Sequence, residues 1–507
     1  MEDLAEPLAD REGPRFQVLD VGVDAPLRLT LDPADRWLDD FVGGAAFLDC
    51  DADGDADMYL TTGHGPNRLY RNDAGGFTDL QATSVAYPDL HSTGASTADY
   101  DGDGDPDLFL NVQFAANRLL RNDGDCRFTD VTEEAGLGDT YRSLHSYWID
   151  IERDGDLDLY VANWAEPLPE GASGRPLAHP DEFWINRGDG TFEDRSDLLP
   201  QATAESFAMT GAFLDFDGDG DYDLFQINDR GASIVPNRLY RNDAAPRELP
   251  AFVDVSDMQG FNADPDGMGL AVGDFNLDGR ADFFTTGNFE SLLMRQGSHY
   301  VDSALALGLD VDARLTWGGV AADFDADGDE DLFYVDSSFF DAGFGDTDAY
   351  RGPAFHQRND IDSAGGFLRR PLEGDLGRLE HWRANAGADI DGDGVQDLYL
   401  GTVERAPMLA FTNPPRIAEV VEVRLHGTRS NTEGRGAVVR AVVGDRVMTR
   451  WPGASDPWSC GVPTWTHFGL GRATAIDRLE IEWPSGVRQE VLDVPSGVRI
   501  HVEEPPE

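Results

Sequence analysis

The sequence predicts an all-β protein, a seven-bladed β-propeller with calcium-binding loops followed by a small β domain, and three observations carry that prediction. An acidic loop of pattern D-x-D-x-D-G-x-x-D recurs seven times, as in "LDFDGDGDYDLF" at 214–225. Each copy lies between short apolar segments such as "GGAAFL", "GGVAA", "DLFL" and "DLYV", which read as strand, tight turn, strand. Downstream stands a second signature, "NRLYRN" at 67–72 and 237–242 and "NRLLRN" at 117–122, followed by a strand led by Phe77, Phe128, Phe192, Phe252, Tyr300 or Phe367. That aromatic precedes the next loop's first aspartate by 22 or 23 residues, whereas the distance from loop to aromatic ranges from 26 to 44. Insertions are therefore confined to one segment of each four-stranded unit. Such a unit cannot bury its own faces alone, so the units stack. An array of EF-hand or dockerin type would need helices around twelve-residue loops, and the flanks here are short, Gly-bounded and β-branched or aromatic.

The loops point to a cation. Crowded carboxylates repel and raise one another's pKa unless a cation offsets them, and hard oxygen donors suit calcium. Position 1 is Asp49, Asp99, Asp150, Asp215, Asp274, Asp323 or Asp389. Position 3 is Asp51, Asp101, Glu152, Asp217, Asn276, Asp325 or Asp391, so the third and fifth copies depart from the pattern. Position 5 is Asp53, Asp103, Asp154, Asp219, Asp278, Asp327 or Asp393. A glycine follows for the sharp turn, and position 7 offers a backbone carbonyl. Position 9 is Asp57, Asp107, Asp158, Asp223, Asp282, Asp331 or Asp397. Up to seven Ca2+ ions are expected.

Composition narrows the partners. With 39 Lys plus Arg against 96 Asp plus Glu, the formal charge of −57 disfavours nucleic acid and anionic membrane. Three cysteines, Cys50, Cys126 and Cys460, have no metal-type spacing; a disulfide framework is not expected, though one pair is open. Neither an apolar leader nor an eighteen-residue apolar run is visible, so membrane insertion is not expected. Localisation is left undecided, because extracellular calcium modules often bind at about 10⁻⁴ to 10⁻³ M, too weakly to fill in a cytosol.

The seventh unit lacks an aromatic-led fourth strand after "MLAFTN" at 408–413, and "FQVLDV" at 16–21 is the candidate to close the ring. "NPPR" at 413–416 marks a boundary: 1–413 is read as the propeller and 414–507 as a separate β domain with Gly/Pro-rich turns. Trp451, Trp458, Trp465 and Trp483 of that domain read as packing residues, with a ligand platform as the alternative.

Through "FVGGAAF" at 41–47 and the acidic loops, the repeats resemble FG-GAP/VCBS repeats of the integrin-type propeller. Through "NTEGRGA" at 431–437, "HFGLG" at 467–471 and "WPSG" at 483–486, the tail resembles the ASPIC/UnbV domain. The pairing resembles the cartilage acidic protein-like family and the UnbV-type proteins of bacterial enediyne gene clusters. The resemblance implies calcium at the loops and export, and no settled activity for most bacterial members.

Function is expected on the propeller face opposite the metal turns, where two insertions lie, 162–182 and 336–356. The starts of the first strands, carrying His91, His145, Met209, Trp317, His381, Trp382 and Arg383, are expected near the axis on that face. The first reading is a recognition or adhesion-like module for a protein or glycan. The alternative is an enzyme of natural-product metabolism with an acid/base pocket at the axis, its candidates being His91, His145, Trp382 and Arg383; packing between blades is the competing role for each. No GxSxG, HExxH, phosphate-loop or dinucleotide signature is present. Oligomeric state is not legible.

Overall fold

The structure is a computed structural model that describes residues 15–18, 41, 43–73, 75–138, 140–165, 176–231, 234–245, 247–261, 266–309, 315–337, 351–370, 372, 374–402, 406–413 and 419–506. Among them, seven antiparallel sheets of at least four strands follow one another along the chain, one per acidic loop. The fourth is representative: Ala208–Leu214, Asp223–Asn228, Arg238–Asn242 and Phe252–Asp254, hydrogen-bonded in that order. Innermost strands of successive blades pack side by side and are buried along nearly their whole length. That crowding explains their composition: "HSTGASTA" at His91–Ala98 is made of small residues because the strand has neighbours on both faces.

The amino-terminal strand proposed to close the ring pairs with the last blade: Arg15–Val18 runs antiparallel to Met408–Asn413, Arg15 opposite Asn413 and Val18 opposite Ala410, and residues 19–21 lie outside the described residues. First and last blades are therefore joined by strand pairing between distant parts of the chain. Tyr399 of the last blade adds a hydroxyl donated to the Gly43 carbonyl of the first, 2.7 Å away. A disulfide between Cys50 and Cys126 links blades one and two, settling the pair that the cysteine spacing left open; Cys460 is a buried free thiol.

The second signature has a mechanical role. Its last asparagine donates from Nδ2 to a carbonyl of its own metal loop and to one in the preceding blade. Asn186 reaches Leu157 O at 3.1 Å and Tyr100 O at 2.8 Å; Asn72 reaches Ala56 O at 3.0 Å and Ile390 O at 2.7 Å; Asn359 reaches Glu330 O at 3.1 Å and Phe275 O at 2.8 Å. In the fifth blade Arg295 takes this place, its Nη1 bonding the Phe216 carbonyl.

The tail forms two sheets around its own apolar core. One contains Thr466–Gly471, Glu419–His426 and Val498–Glu503, the last two strands parallel; the other contains Arg446–Arg450, Val438–Val443, Ala475–Glu482 and Arg488–Pro495. It docks on the metal-loop face of the propeller, as the contacts below show.

Asn186→Ala would orphan two buried carbonyls, and leaving such groups unpaired costs about 1–3 kcal/mol. The expected result is a lower urea midpoint for Asn186→Ala, with Arg187→Ala, whose side chain is exposed, within about 0.5 kcal/mol of the parent; equal midpoints for all three proteins would refute the latch.

Candidate metal centres and the axial channel

Strand pairing sets each loop. The residue before position 1 lies opposite position 9, as Leu48 with Asp57, Ala98 with Asp107 and Leu214 with Asp223. The seven position-6 glycines turn the chain at φ between 80° and 105°, a region open to glycine and strained for other residues. The turn directs backbone N–H groups inward at position 1: Asp49 accepts from Asp53 N at 3.0 Å through Oδ1 and from Gly54 N at 2.9 Å through Oδ2. Asp99, Asp150, Asp274 and Asp323 repeat this arrangement.

Position 9 also serves the scaffold. Asp223 accepts from Phe216 N of the loop through Oδ2, at 3.0 Å, and from Asn242 N of the third strand through Oδ1, at 2.8 Å. Asp57, Asp107, Asp158 and Asp397 bond the same two places in their own blades. Burial is the dominant influence on these carboxyls and raises their pKa, Asp57 to about 7, Asp282 to about 8, and Asp223 and Asp397 to about 9.

The donor set fits a hard divalent cation. One oxygen from each of Asp99, Asp101 and Asp107 lies within 4.8 Å of the other two, as for Asp215, Asp217 and Asp223, for Asp49, Asp51 and Asp53, and for Asp323, Asp325 and Asp327. At position 3, Asp51 Oδ1 and Glu152 Oε2 are buried oxygens that receive no hydrogen bond. Burial, then Asp154 and Asp156, raises Glu152 to about 7. A cation would satisfy these oxygens and stabilise the charged forms of their neighbours. The fifth loop differs: Asn276 Nδ2 donates to Asp278 Oδ2 at 3.3 Å.

At the axis the structure places an element that the sequence did not reveal. Residues 451–465 of the tail enter the channel between the innermost strands. Gly461 donates from N to Ala45 O at 3.0 Å and accepts from Phe47 N at 2.9 Å, extending the first blade inward by one parallel bridge. A Cβ on Gly44 or Gly94 would fall 2.0 or 2.3 Å from the Ser459 carbonyl oxygen, so those glycines are required by this close approach. Trp458 is fully buried in an axial cluster with Phe41, Trp317 and Trp382, its ring centroid 5.3 Å from that of Trp317 and 6.2 Å from that of Phe41.

The four candidate catalytic residues have packing partners around this channel. His145 is buried, its Nδ1 2.7 Å from Thr210 Oγ1 of the next blade, and burial pulls its pKa down to about 4. Trp382 is fully buried in the axial cluster. Arg383 lies 4.7 Å from the Trp317 ring centroid and donates to Trp382 O at 2.8 Å. His91, half-buried, begins the second blade's inner strand and pairs with His64 of a short strand from blade one. None of the four lines the clefts between tail and propeller, the larger being about 470 and 540 Å³. The interiors of the two long insertions, 166–175 and 338–350, lie outside the described residues.

Sequence reasoning missed the tail's contribution to the metal-loop face. Arg424 and Arg499 both donate to Gly54 O, at 2.8 and 2.9 Å, and Arg424 stacks on Trp465 at 3.3 Å. Glu422, nearly fully buried, joins the two arginines. No local period marks these residues, since their shared property is proximity to another domain. Of the four tail tryptophans, Trp483 is core, Trp451 packs on the propeller, Trp465 supports the arginines and Trp458 fills the channel.

Comparison with known proteins agrees with this architecture. A family model described as FG-GAP-like repeat matches residues 49–110, 99–161 and 215–285, and one described as ASPIC and UnbV matches 427–507. The chain carries FG-GAP-like repeats and an ASPIC and UnbV domain over these segments. It is 26% identical to cartilage acidic protein 1 of Xenopus tropicalis over 52% of this chain and 40% of that protein. It is also 26% identical to cartilage acidic protein 1 of Mus musculus, over 70% of this chain and 54% of that protein. The FG-GAP-like chain thus spans about half the length of these curated relatives. Two solved structures, the rhamnogalacturonan lyases YesW and YesX, align at 13% and 14% identity with TM-scores of 0.38 and 0.39, covering 74% and 80% of this chain and 72% and 75% of theirs. A likeness of that order carries no argument about fold or function.

Trp458→Ala is expected to destabilise the protein by about 3–5 kcal/mol, the range for emptying a buried tryptophan site, read as a lower denaturant midpoint; a shift below about 1 kcal/mol would contradict its seat in the axial core. In metal-free protein the position-9 carboxyls hold protons at pH values where unfolded aspartates have lost them. Their contribution is present in acid and is lost as pH rises through about 7 to 9. Urea midpoints in chelator should therefore fall between pH 5 and pH 9; a rising midpoint would refute the burial of these groups.

Proposed function

We propose that this chain is a calcium-built recognition module that binds a protein or glycan on the propeller face opposite the metal turns. The observation that carries the calcium part is the convergence of position 1, 3 and 5 or 9 oxygens within 4.8 Å, with position-3 oxygens that receive no hydrogen bond. Calcium here is architectural. It holds the turns that join the first two strands of each blade, and its binding free energy adds to that of folding. The Cys50–Cys126 disulfide supports an oxidising compartment, the setting in which calcium is abundant enough to fill such loops.

The location of the recognition surface rests on subtraction. The tail covers the metal-loop face, and Trp458 fills the channel that an axial active site would need. Among the described residues, the ends of the two insertions and the buried Arg142, 4.6 Å from the Trp164 ring centroid, stand at the other end of the blades from the tail, and that end is the one assigned to a partner. A protein-or-glycan partner on that face fits a non-enzymatic role better than acid/base chemistry by His145, Trp382 and Arg383, which are enclosed.

Asp215→Ala with Asp219→Ala should remove about one calcium per chain by elemental analysis. It should also lower the melting temperature in calcium far more than in chelator. Equal losses in both conditions, or a parent protein free of calcium after dialysis against millimolar calcium, would end this reading.

A further inference from the structure

The seven loops differ in what touches position 1 from outside. In loop two, Asp99 Oδ2 accepts from Gly104 N at 3.0 Å and also from the hydroxyl of Thr432 at 2.6 Å, a tail residue. In loop six, Asp323 Oδ2 accepts from Gly328 N at 2.8 Å and from the tail's Gly469 N at 3.1 Å. In loops one and seven the outside group is a tail guanidinium: Arg424 Nη1 lies 3.9 Å from Asp49 Oδ2, and Arg499 Nη2 lies 3.7 Å from Asp389 Oδ2. Among the described residues, the carboxylates of Asp150, Asp215 and Asp274 accept hydrogen bonds from N–H groups of their own loops and none from the tail. The tail approaches loop five indirectly, Arg450 pairing with Glu330 at 3.2 Å while Glu330 accepts from Asp274 N at 3.1 Å.

We infer that the tail domain is a working part of four of the cation sites, loops one, two, six and seven, while in loops three, four and five it leaves the position-1 carboxylate to its own loop, touching loop four through the Tyr222 hydroxyl on Gly436 O. The inference rests on the calcium reading above. A donor on Oδ2 of a position-1 carboxylate stops the group from rotating and leaves its remaining lone pairs directed at the loop interior. Outer partners of this kind typically change metal affinity by 10- to 100-fold. The guanidinium groups act at longer range: they anchor the loop-one turn through Gly54 O, the carbonyl at position 6, outside the ligand positions. Linkage makes the effect reciprocal, so a domain that tightens calcium binding is held more tightly by calcium. Docking of the tail, and with it the seat of Trp458 in the channel, therefore follows the occupancy of these four loops.

The test uses the full chain and calcium alone. Equilibrium dialysis against buffered free calcium gives bound ions as a function of concentration for the parent, Thr432→Val and Thr432→Ser. Thr432→Val keeps the shape and removes the donor; one site should weaken about 10-fold while the others hold, and Thr432→Ser, which keeps the hydroxyl, should match the parent. Hydrogen exchange of the peptide covering 456–471 should speed up in chelator. A Thr432→Val isotherm superimposable on that of a calcium-binding parent, or exchange at 456–471 indifferent to calcium, would overturn the inference and leave the calcium reading standing. A parent that binds no calcium would overturn both. If Thr432→Val fails to fold, the serine variant and the exchange measurement still decide.

Discussion

One buried carboxylate per blade organises this molecule. The aspartate at position 9 begins the second strand and receives an N–H from the third strand on one oxygen; in blades one to four and seven an N–H from the loop reaches the other oxygen and ties three strands at one point. A charged group can occupy so dry a place only if its lone pairs are satisfied. The blade supplies two N–H donors, and burial still holds these carboxyls toward the protonated form. A divalent cation at the adjacent positions 1, 3 and 5 would reverse that balance. Folding and charge are thus one problem in this fold, and they meet at the same position of each blade.

The loops are linked as well as repeated. The asparagine that ends the third strand bonds its own loop and the loop of the preceding blade, so a turn that loses its shape withdraws an acceptor from its neighbour. Closure adds three further ties: the amino-terminal strand on the last blade, Tyr399 on Gly43, and the disulfide between blades one and two. A ring built this way is tied at its seam by several independent contacts.

The tail domain changes what the propeller can do. It occupies the metal-loop face, and its segment 451–465 fills the channel where an axial pocket would have formed. Glycines at 44 and 94 have no room for a side chain because the backbone of that segment passes against them. The two domains are complementary in charge at this interface. Arg424, Arg446, Arg450 and Arg499 of the tail meet carbonyls and carboxylates of the loops, in a chain with far more acidic than basic residues. Tail and propeller are held together by these contacts along the metal-loop face.

The repeats, the strand–turn–strand reading and the seven sheets were legible in the sequence, because each depends on spacing within about ten residues and is repeated often enough to stand out. The closing strand was legible too, through the apolar alternation that Arg15–Val18 lays against Ala410–Asn413. The aspartates at position 9 read as ligands, and their second role as acceptors for the third strand emerged only from the fold. His91, His145, Trp382 and Arg383 group as a candidate pocket by their place near the axis in the sequence; in the fold His145 meets Thr210, Trp382 and Arg383 share the surroundings of Trp317, and His91 pairs with His64. What the sequence by itself determined is everything set by local period: blades, turns, acidic donors and a separable tail. What only the tertiary structure decided is where the tail lies, which loops it touches and that Trp458 fills the axis, because those contacts join residues hundreds of positions apart and leave no periodic trace in the chain.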